Sequence, residues 1–359
     1  MEKQDLGTLS GKTEQLLKTF DGHLYGKLQP TATKPLVSVC VVCYNHGQYI
    51  EKCLESLVSQ ITNFDYEIVI GDDCSPDETT KIIRSYVDKY PDRIRAYLHP
   101  VNLSQSNKNY TTAKLNFLQA LSNCSGKYIV NIEGDDFLTD TNKLQLQADY
   151  LEANPDVSAC FHNAQILYED NTGRTDELLN LPDQKPVITS TDLIADRETW
   201  FMATAAVMFR SSMAFPLPEW FTQSKSGDIP LYFLLSQRGP IHYLPNVMSV
   251  YRRHLGGMSF TDIKENAVFV ENRIFMYSSM NHETGGKYSD YLNPIVSKYY
   301  LQLCQANQYK QAFFKKLYFT MRAYWLKSPD SWKQAMTHLE NYVMTQRMIE
   351  LYSLVKPKS

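Results

Sequence analysis

From Leu36 onward the chain alternates short apolar runs with segments of helical periodicity, and this alternation limits the possible folds more than any other feature. Val37 to Tyr44 is a nearly continuous apolar run of strand length. The next segment sets Ile50, Cys53, Leu54, Leu57 and Val58 at the spacing of one helix face. Tyr66 to Ile70 then reads as a strand, Thr79 to Tyr90 as a helix closed by Pro91, and Ile94 to Leu98 as a third strand. Tyr110 to Leu121 is a further helix and Tyr128 to Ile132 a fourth strand. Strands joined through helices by short loops run parallel, with right-handed crossovers. The sequence therefore predicts an α/β fold, a Rossmann-like, mostly parallel sheet flanked by helices. Beyond it, Lys143 to Ala153 and Asp228 to Ser236 read as helices, Val157 to Tyr168 and Ala203 to Phe209 as strands, and Ile241 to Tyr251 as a last strand pair or loop. After Gly257 the character turns to long helical stretches. Three parts are expected: an arm or linker over 1–35, the α/β domain over 36–257, and a helical region over 258–359.

Chemistry concentrates where the strands end. Glu133, Asp135 and Asp136 directly follow the apolar run Tyr128 to Ile132, at the carboxyl end of a core strand, where open α/β sheets bind their ligands. Carboxylates packed this closely repel one another unless a cation or a hydrogen-bond network compensates. Hard cations such as Mg²⁺ or Mn²⁺ take such oxygen ligands and complete their shell with substrate phosphates. A solvated acidic turn is the plain alternative for an isolated cluster. Two more loops leave neighbouring strand ends, however: Cys43-Tyr44-Asn45-His46-Gly47, and Gly71 to Thr79 with Asp72, Asp73 and Asp77. On a parallel sheet all three converge on one edge, so a single pocket can receive Tyr44, Asp72, Asp73 and the carboxylates at 133, 135 and 136. An acceptor carboxylate beside a flat aromatic suits a pyrimidine base, and the later acidic cluster then suits a metal on a diphosphate. Asp77 can also cap the helix beginning near Thr79.

Other classes are excluded by what the chain lacks. A net charge of -3 gives no reason to expect nucleic acid. No run approaches the roughly 20 apolar residues of a bilayer span, and the polar N-terminus is not a secretory signal. Seven scattered cysteines fit reduced thiols and a cytoplasmic location. Cys40 and Cys43 match C-x-x-C, but three residues apart on a strand they face opposite ways and read as structural. The turn after the first strand lacks the Gly-rich fingerprint of nicotinamide enzymes. It also lacks the Gly-rich, Arg-containing loop of sugar-1-phosphate nucleotidyltransferases. The last fifty residues are basic and rich in aromatics, among them Phe313, Phe314, Tyr318, Phe319, Tyr324, Trp325 and Trp332. Such a segment either lies on an anionic membrane surface, giving a peripheral location on its inner face, or packs as a helical subdomain with a solvated basic face. Its helices can also pair with another copy of the chain in a homo-oligomer, or with a membrane-bound partner.

Taken in order, the strand ending in Tyr44-Asn45, then Asp72-Asp73-x-Ser75-x-Asp77, Gly126-Lys127-Tyr128-Ile129 and Glu133-Gly134-Asp135-Asp136 resemble the family 2 glycosyltransferases of the GT-A fold. The resemblance covers roughly residues 36 to 255 and rests on the joint order and spacing of the motifs. It implies an inverting, metal-dependent transfer from a nucleotide-diphosphate sugar, a UDP-sugar, to a glycan or lipid-linked acceptor in surface polysaccharide synthesis. By that resemblance Asp73 holds the uracil imide, Tyr44 flanks the base, Asp72 supports the loop, Asp135 approaches the ribose and Asp136 coordinates Mn²⁺ or Mg²⁺. Glu133 is the second metal candidate. The chain departs from the pattern in carrying Glu133-Gly134 where many members have Asp-x-Asp. Inversion needs a general base for the acceptor hydroxyl. Asp228, in Ser226-Gly227-Asp228-Ile229-Pro230, resembles the family's base, and it also stands where a helix N-cap would. Tyr251-Arg252-Arg253-His254 with Gly256-Gly257 resembles a basic loop that closes over the diphosphate, with His254 on the metal or the diphosphate. Lys114 stands where a basic residue meets the nucleotide, and His162-Asn163 faces the acceptor. The competing reading is a non-catalytic nucleotide-sugar-binding protein on the same scaffold.

Overall fold

A computed structural model of the 359-residue chain describes residues 22–27, 33–103, 112–169, 173–194, 201–257, 267–309 and 311–327. Contacts separate two compact units, Met1–Leu193 with Arg197–Phe260, and Ile194–Asp196 with Thr261–Ser359.

The first unit is built on one sheet. Strands β1 (His23–Tyr25), β2 (Val37–Cys43), β3 (Tyr66–Asp72), β4 (Ile94–Leu98), β5 (Tyr128–Glu133) and β6 (Phe137–Leu138) come from its first half. β7 (Ala159–Glu169), β8 (Glu177–Leu178), β9 (Val187–Ile188), β10 (Val207–Arg210) and β11 (Ile241–His254) complete it. The order is β1-β4-β3-β2-β5-β10-β7-β11-β6, with β8 on β7 and β9 on β11. β4, β3, β2 and β5 are parallel, as the alternation predicts. β10 enters antiparallel between β5 and β7, and β11 returns parallel to β7, so the sheet is mixed beyond β5.

Helices α1 (Ile50–Val58), α2 (Thr79–Lys89), α3 (Thr112–Ser122), α4 (Lys143–Ala153) and α5 (Asp228–Ser236) flank the sheet. α1 buries Ile50, Cys53, Leu54 and Leu57, the face its spacing sets. Two apolar layers result. Val39, Val41, Ile68, Ile70, Val130 and Ile132 belong to the layer under α1 and α2. Cys40, Val69 and Ile129 belong to the opposite layer with Leu115 and Leu118 of α3 and Leu231 of α5. Cys43 lies in the first layer and Cys40 in the second, so strand alternation separates the two thiols.

Three sequence expectations are corrected. The stretch before residue 36 contributes β1, an edge strand antiparallel to β4. Ile241 to His254 is one long strand, whose register shifts between Leu244 and Val247 and again before Ser249. Pro245 lies in the first shift, where the missing N–H cannot join a ladder. Tyr251 to His254 is consequently strand, with Gly256 and Gly257 in the turn after it.

In the second unit, α6 (Ala267–Glu283), α7 (Ser289–Leu303) and α8 (Phe313–Lys327) pack consecutively against one another. Of the basic, aromatic C-terminal segment, Lys310, Trp332 and everything after Lys327 lie outside the described residues. Among the described residues no helix is long and apolar enough to cross a membrane.

Candidate active site

The loops after β2, β3 and β5 meet at the carboxyl edge of the parallel strands, and main-chain bonds fix their spacing. Asp73 donates its N–H to the Cys43 carbonyl at 3.1 Å, and Gly134 to that of Val42 at 2.9 Å. Asn116 on α3 donates to the Gly71 carbonyl at 2.9 Å, and a Cβ on Gly71 would meet the Asn116 side-chain oxygen at 2.3 Å. Close approach of helix and strand therefore requires glycine there. Asn45 and Cys74 have φ of 58° and 60°, each turning the chain sharply out of its strand.

The loop after β3 is held by its own acids. Asp72 accepts Ser75 Oγ and Thr80 Oγ1, both at 2.5 Å, which makes it the supporting residue of the loop. Asp77 accepts the Gly47 N–H at 2.7 Å and the Thr79 N–H at 3.1 Å, so it serves the start of α2 and also ties this loop to the one after β2. Asp73 is buried and accepts the Leu103 N–H at 2.8 Å. Burial raises its carboxyl to about 7, against that hydrogen bond and with help from Asp72. Tyr44 stands exposed at the tip of the neighbouring loop.

The acidic cluster is clamped by β11. Asp136 Oδ1 accepts the Arg252 N–H at 2.8 Å, and the Asp135 carbonyl accepts Arg252 Nε at 2.9 Å. Asp135 Oδ2 lies 3.0 Å from His254 Nε2 and 3.8 Å from His46 Nε2. Arg252 rests 4.6 Å from the ring of Tyr49, and its guanidinium also bonds Glu169. The electrostatics of the two neighbours diverge. Burial raises Asp135, but the His254 hydrogen bond and the His46 and His254 charges outweigh it and hold the carboxyl below its usual range. Burial, Asp135 and Glu133 push Asp136 well up. Burial, Asp135 and Asp228 raise Glu133 to about 8.

The donor set fits a divalent cation. Asp135 Oδ1 and Asp136 Oδ2 are buried without a hydrogen-bond partner, while the other oxygen of each is engaged by β11. Among the described residues no three His, Cys, Asp or Glu side chains group as a metal cage. A cation of the Mg²⁺ type asks for less, one or two carboxylates with the rest of its shell from water and phosphate. The Glu133-Gly134 departure also has a cause. A Cβ at 134 would lie 2.9 Å from Cys43 Cβ, His46 Nδ1 and Ile50 Cδ1, because the loop after β2 closes directly onto this residue.

Asp228 is the first residue of α5, behind the N-cap Gly227, and its Oδ1 accepts the Ile229 N–H at 2.7 Å. Its charge acts on both Glu133 and Lys114. Lys114, buried on α3, donates to the Ser226 carbonyl at 2.7 Å and lies 4.0 Å from the centre of the Phe221 ring. Burial lowers its ammonium to about 7, partly opposed by Asp228. Lys114 is thus engaged with the segment leading to Asp228.

Three expectations need correction here. Arg252 and Arg253 are strand neighbours and face opposite ways. Arg252 joins the acidic cluster, whereas Arg253 lines a separate cavity of about 540 Å³ with Tyr168, Tyr251 and Arg174. Arg252 belongs to an ordered strand, with its side chain already bonded to Asp135 and Glu169. His162 is fully buried within β7, bonded through Nδ1 to the Asn163 carbonyl and held at about 3 chiefly by burial. Its side chain has no exposed surface. Residues the sequence reading passed over are Tyr49, His46, Asn116 and Glu169. Of these only His46, directly beyond the first strand, carried a visible signal.

Residues 38–214 match the family model described as Glycosyl transferase family 2. The chain is 31% identical over 241 residues to the uncharacterized protein Rv1520 of Mycobacterium tuberculosis, covering 66% of this chain and 64% of that protein. It is 30% identical over 270 residues to a chondroitin synthase of Escherichia coli, covering 72% of this chain and 35% of the synthase. The match thus spans less than two thirds of either relative. A solved structure of S. aureus TarS 1–349 in complex with UDP-GlcNAc superposes with a TM-score of 0.45 at 16% identity, over 83% of this chain and 91% of that one.

Proposed function

Residues 38–214 belong to glycosyltransferase family 2, and from that premise we propose that the protein is an inverting, metal-dependent glycosyltransferase. It takes a sugar from a nucleotide-diphosphate donor and passes it to a hydroxyl of a glycan or lipid-linked acceptor. The observation that carries this reading is the pair of buried, unpartnered oxygens on Asp135 and Asp136, each carboxylate held in place through its other oxygen.

The residues divide the work. Asp73, ionised, accepts the imide N–H of a uracil while Tyr44 offers a flat face to the ring, which makes UDP the preferred carrier. Asp72 keeps that loop in shape through Ser75 and Thr80. Arg252 and His254 orient the two aspartates. Asp136 with Asp135 would hold Mn²⁺ or Mg²⁺, which would supply charge neutralisation for the leaving diphosphate; Glu133 stands close enough to tune their charge. Asp228 takes the proton of the acceptor hydroxyl as that oxygen attacks the anomeric carbon from the face opposite the leaving diphosphate. Lys114 fixes the Ser226–Asp228 segment that presents it. The likeness to a chondroitin synthase supports a glycan acceptor and a role in surface polysaccharide synthesis.

Calorimetry of UDP binding, with and without Mn²⁺, tests the reading on the wild type and Asp136→Ala. Metal-dependent binding that disappears in the variant is expected. Binding that ignores both the metal and the substitution would remove the aspartate pair from donor recognition.

A further inference from the structure

Among the described residues, helix α8 carries an apolar face that stands exposed. Its buried residues, Lys316, Phe319, Thr320 and Ala323, form one side, and there Phe319 packs on Tyr300 and Tyr309. On the opposite side Phe314, Tyr318, Met321 and Trp325 follow at spacings of four, three and four, a single stripe. Their exposures are 82%, 55%, 39% and 57%. Large apolar side chains lined up on the solvent side of a helix mark an interaction surface.

The charge around the stripe selects the occupant. The helix carries Lys315, Lys316, Arg322 and Lys327 and no acidic residue. Lys315 and Arg322 flank the stripe on one side, their charged heads 4.7 Å and 5.8 Å from the rings of Tyr309 and Tyr300. Those cation–π contacts keep both cations on the rim beside the aromatics. A second copy of this helix would bring like charges together, which disfavours self-pairing. A surface of phosphate headgroups over acyl chains meets both needs. Aromatic and Met side chains enter the boundary layer, and the rim cations meet anionic phosphate. Fifteen residues span about 22 Å at the rise of an α-helix, and the cations oppose burial of the helix, so it lies in the plane of the surface.

We propose that α8 is a docking face for an anionic lipid surface, with Phe314, Tyr318, Met321 and Trp325 inserted and Lys315 and Arg322 on the headgroups. Docking is independent of the transfer reaction proposed above. It would hold the protein beside a lipid-linked acceptor.

The test is co-sedimentation of the full chain with vesicles of phosphatidylcholine alone or mixed with phosphatidylglycerol. Binding to the mixed vesicles is expected to exceed binding to the neutral ones at least tenfold and to fall as salt rises. Phe314→Ser with Trp325→Ser is expected to abolish it. Lys315→Gln and Arg322→Gln are expected to weaken it about fivefold each. Lys315 and Arg322 are both exposed, so the two charge variants remain decisive if the double variant unfolds. Wild type that stays in solution with mixed vesicles overturns the proposal, as does unchanged binding by all the variants. A dimer in light scattering that the double variant dissociates, without vesicle binding, overturns it in favour of a second copy.

Discussion

His254 Nε2 lies 3.0 Å from Asp135 Oδ2, across 119 residues of sequence. The contact ties the end of β11 to the loop after β5, and the Tyr49 ring, centred 4.7 Å from the imidazole, braces it. If His254 orients Asp135, His254→Ala should weaken Mn²⁺-dependent UDP binding by about 10- to 100-fold and leave a metal-dependent signal. Calorimetry at several Mn²⁺ concentrations checks this. A complete loss of metal dependence would instead identify the imidazole as a ligand.

Asp73 predicts opposite pH slopes for stability and for binding. Its folded carboxyl stands at about 7 through burial, whereas an unfolded Asp titrates near about 3.9. Folding therefore favours the protonated form. The stability this contributes is fully present below the unfolded value and is lost as pH rises towards about 7. Accepting an imide N–H needs the ionised form, so UDP affinity should rise as pH climbs through the same window. Asp73→Asn should flatten its share of the stability slope and weaken UDP at every pH. Thermal unfolding and calorimetry between pH 5 and 8 read both, and a variant that retains the wild-type slope in either would exclude Asp73 from it.

The first half of the sheet was legible because each of its strands is an apolar run whose partners follow at regular intervals, and a loop at a parallel strand end has one place to go. Asp72, Asp73, Asp135 and Asp136 could be placed on one edge by that rule alone. The Asp228 helix was legible from its own composition. The bracing was not: Arg252 and His254 read as a basic segment for the diphosphate, whereas they and Glu169 reach the acids through the pairing of β7 with β11, which no local spacing encodes. Pro245 hid the continuity of β11. With it went the alternation that sends Arg252 and Arg253 to opposite faces. β1 is three residues, too short to show a period.

Gly134 offers a test of packing at the cluster. A Cβ there would lie 2.9 Å from backbone-proximal Cys43 Cβ, and equally close to His46 and Ile50, which leaves little room for relief. Gly134→Ala should cost about 1–3 kcal/mol, read by urea unfolding. It should also displace the loop that carries Tyr44 and weaken UDP. An alanine variant of wild-type stability would show that the loop after β2 gives way freely.

Lys114 and Asp228 separate binding from transfer. Asp228→Asn keeps the side chain's shape and its acceptor oxygen for the Ile229 N–H, so α5 should stay intact and UDP affinity unchanged. Without a carboxylate to take the acceptor proton, kcat should fall by about 100- to 10,000-fold. Lys114→Met keeps an apolar stem of similar length and loses the bond to the Ser226 carbonyl. That bond carries about 0.5–3 kcal/mol, the upper part of the range when the amine is protonated, enough to let the Ser226–Asp228 segment drift. The expected result is a drop in kcat of about tenfold or more at constant UDP affinity. A Lys114 that touched the nucleotide would give the reverse, weaker UDP binding with kcat preserved at saturation. Turnover and calorimetry on the same two variants therefore decide whether Lys114 serves the base or the donor.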